Sequence, residues 1–260
     1  MSIDNKERFP SYCRYGIHVD CSNMKQMLIE IKTLLNSGKK HYVCFLEGNL
    51  IFHALHDSSV LNAINGATLV YPDGIVVALI WSLHFRKVFN RCTGPSSMLY
   101  ICQYGVEKGW KHFFLGGASG VPEQLVEKLK KQFPGMQVAG CWSPPFRPLT
   151  HDEEKEIQNR IEKTKPDFLW VGLGGPKQEF WMHEHLNKLN VPVMLGVGAA
   201  FDFHSENKYW CPQILRVLGF EWFWRALTGG RKTFKRNLQC VSYDVGLLLK
   251  EVFLFFYPKR

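Results

Sequence analysis

From residue 14 to about residue 200, short apolar runs alternate with longer stretches whose apolar residues recur at helical spacing, and this alternation limits the fold of the 260-residue chain more than any other property. The runs "YGIHVD", "HYVCFL", "ATLVYPDG", "HFFLGG", "MQVAGC", "DFLWVGL" and "VPVMLGVG" read as strands. In the first helical stretch Met24, Met27, Leu28, Ile31, Leu34 and Leu35 share one face, with Ser22 as the expected cap and Gly38 as the expected stop. A second helix is expected over about 49–64, a buried one over "IVVALIWSLHF", and further ones over "SGVPEQLVEKLKKQF", with Pro122 in its first turn, "THDEEKEIQNRIEK" and "PKQEFWMHEHLNKL". Strands separated by helices predict an α/β fold: a Rossmann-like parallel sheet with helices on both faces, receiving ligands at the carboxyl ends of its strands.

Beyond about residue 205 the character changes. No clear strand follows, and the stretch is rich in Trp, Phe and Arg. From residue 211 onward nine basic residues face three acidic ones, so +6 of the net +9 lies in the last fifth of the chain. We therefore expect a 1–205 core and a mainly helical, basic, aromatic-rich 206–260 appendage. Its Arg225, Arg231, Lys232, Lys235 and Arg236 beside Trp222, Phe223, Trp224 and Phe234 suit a membrane interface with basic groups on lipid phosphates; a core-packing helix pair with solvated lysines is the plain alternative. Nucleic acid is disfavoured, because the aromatics sit in apolar runs. No apolar run reaches the length of a membrane span, and the eight scattered cysteines, without a CxxC pair, read as reduced thiols in a cytosolic compartment.

Several motifs fall at strand ends. In "VGLGGPKQEFW" the glycines allow a sharp turn and the following helix offers free N–H groups, which suits an anion or sugar hydroxyls; an ordinary strand–turn–helix junction with a solvated Lys177, Gln178 and Glu179 is the alternative. Asp73 of "PDG" reads as a helix N-cap or as a general base at the sheet edge. Arg91 beside the Thr93–Gly94–Pro95 turn suits a phosphate or a carboxylate, or is an exposed turn residue. "GGASG" lacks the spacing of a dinucleotide loop, "HEH" at 183–185 lacks the spacing of a helical metal pair and fits a surface helix, and no D-x-D occurs, so a diphosphate leaving group would need cationic side chains.

Taken in order, "ATLVYPDGIVVAL", "RCTGPSSM", "FFLGGASGVPEQL", "FPGMQVAGCWSPPFRPLT", "KPDFLWVGLGGPKQEFW", "GVGAAFDFH" and "GFEWFWRAL" resemble the landmarks of the WecG/TagA/CpsF glycosyltransferases over about residues 14–236. The resemblance implies a metal-independent, cofactor-free, inverting transferase. It would move a sugar from a nucleotide-sugar donor, usually UDP-linked, to a sugar on polyprenyl diphosphate, bound peripherally at the inner face of a bacterial membrane in surface polysaccharide or glycolipid synthesis. The family's base falls on Asp73, and its substrate-binding positions fall on Arg91, Thr93, Gly94, Gly174, Lys177, Gln178, Glu179 and Asp202, with Arg225 and Arg231 as the nearest matches to the cations over the donor diphosphate. Where relatives carry Thr and Asn after the second strand, this chain has Phe45 and Glu47, followed by Gly48 and Asn49, so Glu47 and Asn49 are the expected substrate contacts there. Ser96 replaces an acid, and "SENKYWCP" at 205–212 departs as well. These departures leave a second reading, a non-catalytic relative that binds a lipid-linked sugar or scaffolds an assembly complex. Sugar identity, linkage and self-association stay open.

Overall fold

The computed structural model describes residues 9–257 other than 148, 218–220 and 229, and only the backbone of 217, 222, 225–227 and 230–240. Strands β1 (Ser11–Arg14) and β2 (Ile17–Asp20) form an antiparallel hairpin turned by Tyr15 and Gly16, both at positive φ. "YGIHVD" thus belongs to a small separate sheet. The main sheet holds β3 (His41–Leu46), β4 (Leu69–Pro72), β5 (Lys111–Gly116), β6 (Gln137–Trp142), β7 (Phe168–Gly172) and β8 (Val193–Gly196) in the order β4-β3-β8-β7-β5-β6, all parallel. At its β4 edge the Asp20 carboxylate accepts the Val70 N–H at 2.7 Å, which satisfies an edge donor that a partner strand would otherwise take.

Both faces are buried, and the strands alternate between them at period two. Tyr42, Cys44, Leu46, Leu169, Val171 and Met194 point into one core with α2 (Gly48–His56), α3 (Ser58–Asn65), α4 (Ile75–Phe85), α7 (His151–Thr164) and α8 (Lys177–His185). Val43, Phe45, Phe168, Trp170, Val193 and Leu195 point into the other with α1 (Met24–Leu35), α5 (Gly94–Lys108), α6 (Val121–Gln132) and α9 (Ala200–His204). The expected two-faced sheet is borne out. Chain leaving β3 turns into α2 on the first face, while chain leaving the adjacent β8 turns into α9 on the second. Their carboxyl ends therefore flank a topological switch point.

Several local expectations change. Asn23, not Ser22, caps α1, its side chain accepting the N–H groups of Lys25 and Gln26, and the helix stops at Asn36 before Gly38. The stretch over 49–64 is two helices, broken at Asp57, whose carboxylate caps the second through Ser59 N–H. Helix α5 was not expected; Thr93 caps it through Ser96 N–H, and Pro95 occupies its first turn. The "HEH" stretch lies on a half-exposed helix, as expected: His183 and Glu184 are exposed, with His183 reaching the Tyr42 hydroxyl, while His185 is buried and stacks on Trp181.

The appendage comprises α10 (Gln213–Val217), α11 (Glu221–Thr228) and α12 (Gly230–Phe256). Helix α12 lies on α4 and α2, with Leu247 and Leu248 against the first core, so a third layer covers that face. The outer side of α12 leaves Val245, Leu249, Phe253 and Phe256 exposed, and Tyr257 just beyond it is exposed as well. Among the described residues no helix is long and apolar enough to cross a membrane.

Candidate active site

Strand β4 delivers Asp73 to the rim at the switch point. Its N–H donates to the Leu46 carbonyl at the end of β3 at 2.9 Å, so the backbone of Asp73 is fixed by the neighbouring strand. Gly74, in extended conformation, is the N-cap of α4, with no side-chain capping bond. The cap reading of Asp73 is thereby overturned: the chain turns one residue later, at Gly74, and the Asp73 side chain is half-buried at the rim.

Arg91 meets Asp73 from the other side. The segment after α4 returns to the rim, where Cys92 N–H donates to the Pro72 carbonyl at 2.9 Å. Arg91 Nε donates to the Asp73 carbonyl at 2.7 Å, Nη1 to the Arg216 carbonyl at 2.8 Å, and Nη2 to Glu221 Oε2 at 3.0 Å. The guanidinium is therefore no exposed turn residue; it spans the Asp73 loop and the appendage. Thr93 spends its hydroxyl on capping α5, and Gly94 lets that helix start against β8: a Cβ there would stand 3.2 Å from Val197 Cα.

After β7, Gly174 takes a φ of +78° with open space beside it, and α8 begins. Successive helical residues point about 100° apart, so the Lys177, Gln178 and Glu179 triplet cannot face one way. Lys177 is exposed, whereas Gln178 and Glu179 turn inward. Gln178 Oε1 accepts Gly198 N–H at 2.9 Å, joining the ends of β7 and β8, and its Nε2 donates to Glu179 Oε1 at 2.9 Å. Glu179 Oε2 has no hydrogen-bond partner, and burial, aided by the charge of Glu47, pushes its carboxyl up to about 7.

Glu47 is the N-cap residue of α2, again without a side-chain capping bond, and Asn49 is half-buried in the first turn. Asp244 of α12 lies over that turn: a Cβ on Gly48 would meet Asp244 Oδ2 at 1.6 Å, so only glycine admits this approach. Burial, then Glu47, pushes Asp244 up to about 7 as well.

Asp202, on α9, accepts Asn207 Nδ2 at 3.0 Å and pairs with Lys208 Nζ. Both partners come from the atypical 205–212 segment. Next to it Trp210 stacks on Phe203, and the Arg216 guanidinium lies 3.7 Å above the Trp210 ring. The side chains of Arg225 and Arg231 lie outside the described residues.

The rim thus gathers Glu47, Asp73, Arg91, Gln178 and Glu179 from four separated stretches around the ends of β3, β4, β7 and β8. The family model described as the glycosyl transferase WecG/TagA/CpsF family matches residues 12–254. The chain belongs to that family. This WecG/TagA/CpsF member is 26% identical over 219 residues to a protein of Bacillus spizizenii, covering 84% of this chain and 83% of the relative. It is 27% identical over 229 residues to one from Staphylococcus aureus strain MRSA252, covering 87% and 88%. Both relatives are named N-acetylglucosaminyldiphosphoundecaprenol N-acetyl-beta-D-mannosaminyltransferase.

Sequence reading missed Glu221, Asp244 and Glu251. The signal was present: these three are the only acids after residue 210, and Glu221 and Glu251 each pair with a cation.

Proposed function

We propose that this transferase moves a sugar from a nucleotide donor, UDP-linked, to the hydroxyl of a sugar carried on polyprenyl diphosphate, without a metal ion and with inversion at the anomeric carbon. The polyprenyl-diphosphate acceptor follows the names of the two relatives. Asp73 takes the proton from the acceptor hydroxyl as its oxygen bonds to the anomeric carbon. The bond from that carbon to the donor diphosphate breaks on the opposite face, and the diphosphate leaves with its electron pair. Arg225 and Arg231 neutralise the charge it gains, and Gly174, Lys177 and the Glu47–Asn49 turn line the sugar side.

The observation that carries this reading is the carboxylate of Asp73 at the rim, one residue before the helix cap, on a backbone pinned by Leu46 and by Arg91. The membrane side of the reading draws on the outer stripe of α12. Val245, Leu249, Phe253 and Phe256 follow helical spacing and stay exposed, and cationic Lys250 and Arg86 lie alongside, which suits docking on the inner leaflet.

Transfer of radiolabel from UDP-sugars to a synthetic lipid-diphosphate sugar tests the activity. Asp73→Asn is expected to lower kcat by about 10²–10⁴-fold, the span of general-base catalysis, with the melting temperature unchanged. Near-normal turnover would remove Asp73 as the base. One observation favours the non-catalytic reading: the carboxylate of Asp202 is engaged by Asn207 and Lys208. Lipid-linked sugar binding without product from any donor would select it.

A further inference from the structure

Arg91 spends three of its five N–H directions inside the protein, and each goes to a different part of the chain. One fixes the carbonyl of Asp73, the second takes the carbonyl of Arg216 in α10, and the third pairs with Glu221, the first residue of α11. Its side chain is 18% exposed and that of Glu221 22%, so the pair is largely shielded. A second contact seats the same segment: Arg216 lies over Trp210, whose ring packs on Phe203 and His204 of α9, and His204 Nε2 meets the Pro95 carbonyl at 2.9 Å. The appendage is thus held to the rim at the residue whose other hydrogen bond sets the Asp73 loop.

We propose that Glu221 is a positioning residue: by pairing with Arg91 it seats α10 and α11 on the rim and couples that seating to the placement of Asp73, so that the basic stretch following Glu221 comes over the donor diphosphate only when the base loop is also in place. This deepens the transferase reading and rests on it. A guanidinium already bonded to two backbone carbonyls and a carboxylate has its plane fixed, so loss of the carboxylate loosens the start of α11 without removing the Asp73 bond. Glu221 touches neither substrate; it acts through Arg91 and through the helix it begins.

The test uses the full chain. Glu221→Ala is expected to raise amide hydrogen exchange across 213–228 and leave the sheet strands unchanged. It should lower kcat/KM for the nucleotide sugar at least tenfold, with the KM of the lipid acceptor unchanged. Glu221→Asp should recover part of both effects. The exchanged pair, Arg91→Glu with Glu221→Arg, should restore part of the protection of 213–228 but not turnover, because the bonds to the Asp73 and Arg216 carbonyls are gone. Unchanged exchange in Glu221→Ala, or a double variant no better protected than either single one, overturns the proposal. Should the wild type transfer no sugar from any donor while the exchange pattern holds, the transferase reading fails and the seating stands.

Discussion

Glu179 is a carboxyl shut inside the rim. It is fully buried, one of its oxygens is unpartnered, and its carboxyl is lifted from an ordinary 4.5 to about 7, chiefly by burial. A carboxyl that holds its proton more tightly folded than unfolded contributes its full stability below about pH 4, and that contribution is lost as the pH rises toward 7. The loss by neutral pH is on the order of 3 kcal/mol. Glu179→Gln, which cannot ionise, is therefore expected to gain on the wild type from pH 4.5 to pH 7 and to keep a constant lead above it, read from urea midpoints at pH 4.5, 6 and 8. A lead that did not change with pH would sever the link to ionisation. The sequence places Lys177, Gln178 and Glu179 together but not the inward turn of the last two, because α8 has no clear apolar stripe to orient it. For Asp73 the residue string allows cap or base; the one-residue offset makes Gly74, not Asp73, the cap residue.

At the scale of elements, all six strands of the main sheet are legible, since each is a compact apolar run between helical periods. Helix α5 was hidden because "TGPSS" reads equally as a turn, and the 49–64 stretch was fused because the apolar period continues past the Asp57 break. The seat of α12 was beyond reading, because it depends on acids that meet partners more than 160 positions away. Glu251 accepts from Arg14 Nε at 2.8 Å and from the Tyr15 hydroxyl, and meets His84 Nδ1 at 3.0 Å; burial raises its carboxyl, but these hydrogen bonds outweigh it and hold the group below its usual range. Glu251→Ala removes all of them, and a loss of about 1–3 kcal/mol is expected, with faster amide exchange over 241–257. Unaltered exchange there would mean that apolar packing on α4 and α2 alone holds the helix.

The whole molecule is asymmetric in charge and in polarity. A sheet closed on both faces carries a third layer whose inner side packs on α4 and α2 and whose outer side shows Leu249 and Phe253, each 62% exposed. Because these side chains already face solvent, Leu249→Glu with Phe253→Glu should leave the melting temperature within a few degrees of wild type. Sedimentation with vesicles rich in acidic phospholipid is expected to fall about tenfold, and binding by the parent chain should weaken as salt is raised. Undiminished sedimentation would exclude the outer stripe as the lipid-facing surface. The division into a 1–205 core and a 206–260 appendage marks the change in composition well, yet the Arg91 and Glu251 contacts cross it.

Arg14 and Glu251 are clasped across 237 positions, one in the opening hairpin and the other near the final helix turn. Translation delivers the hairpin 237 positions ahead of Glu251. All six strands of the main sheet therefore precede the carboxylate that fastens the hairpin to α12. Until Glu251 has emerged, this carboxylate cannot tie the hairpin to the third layer.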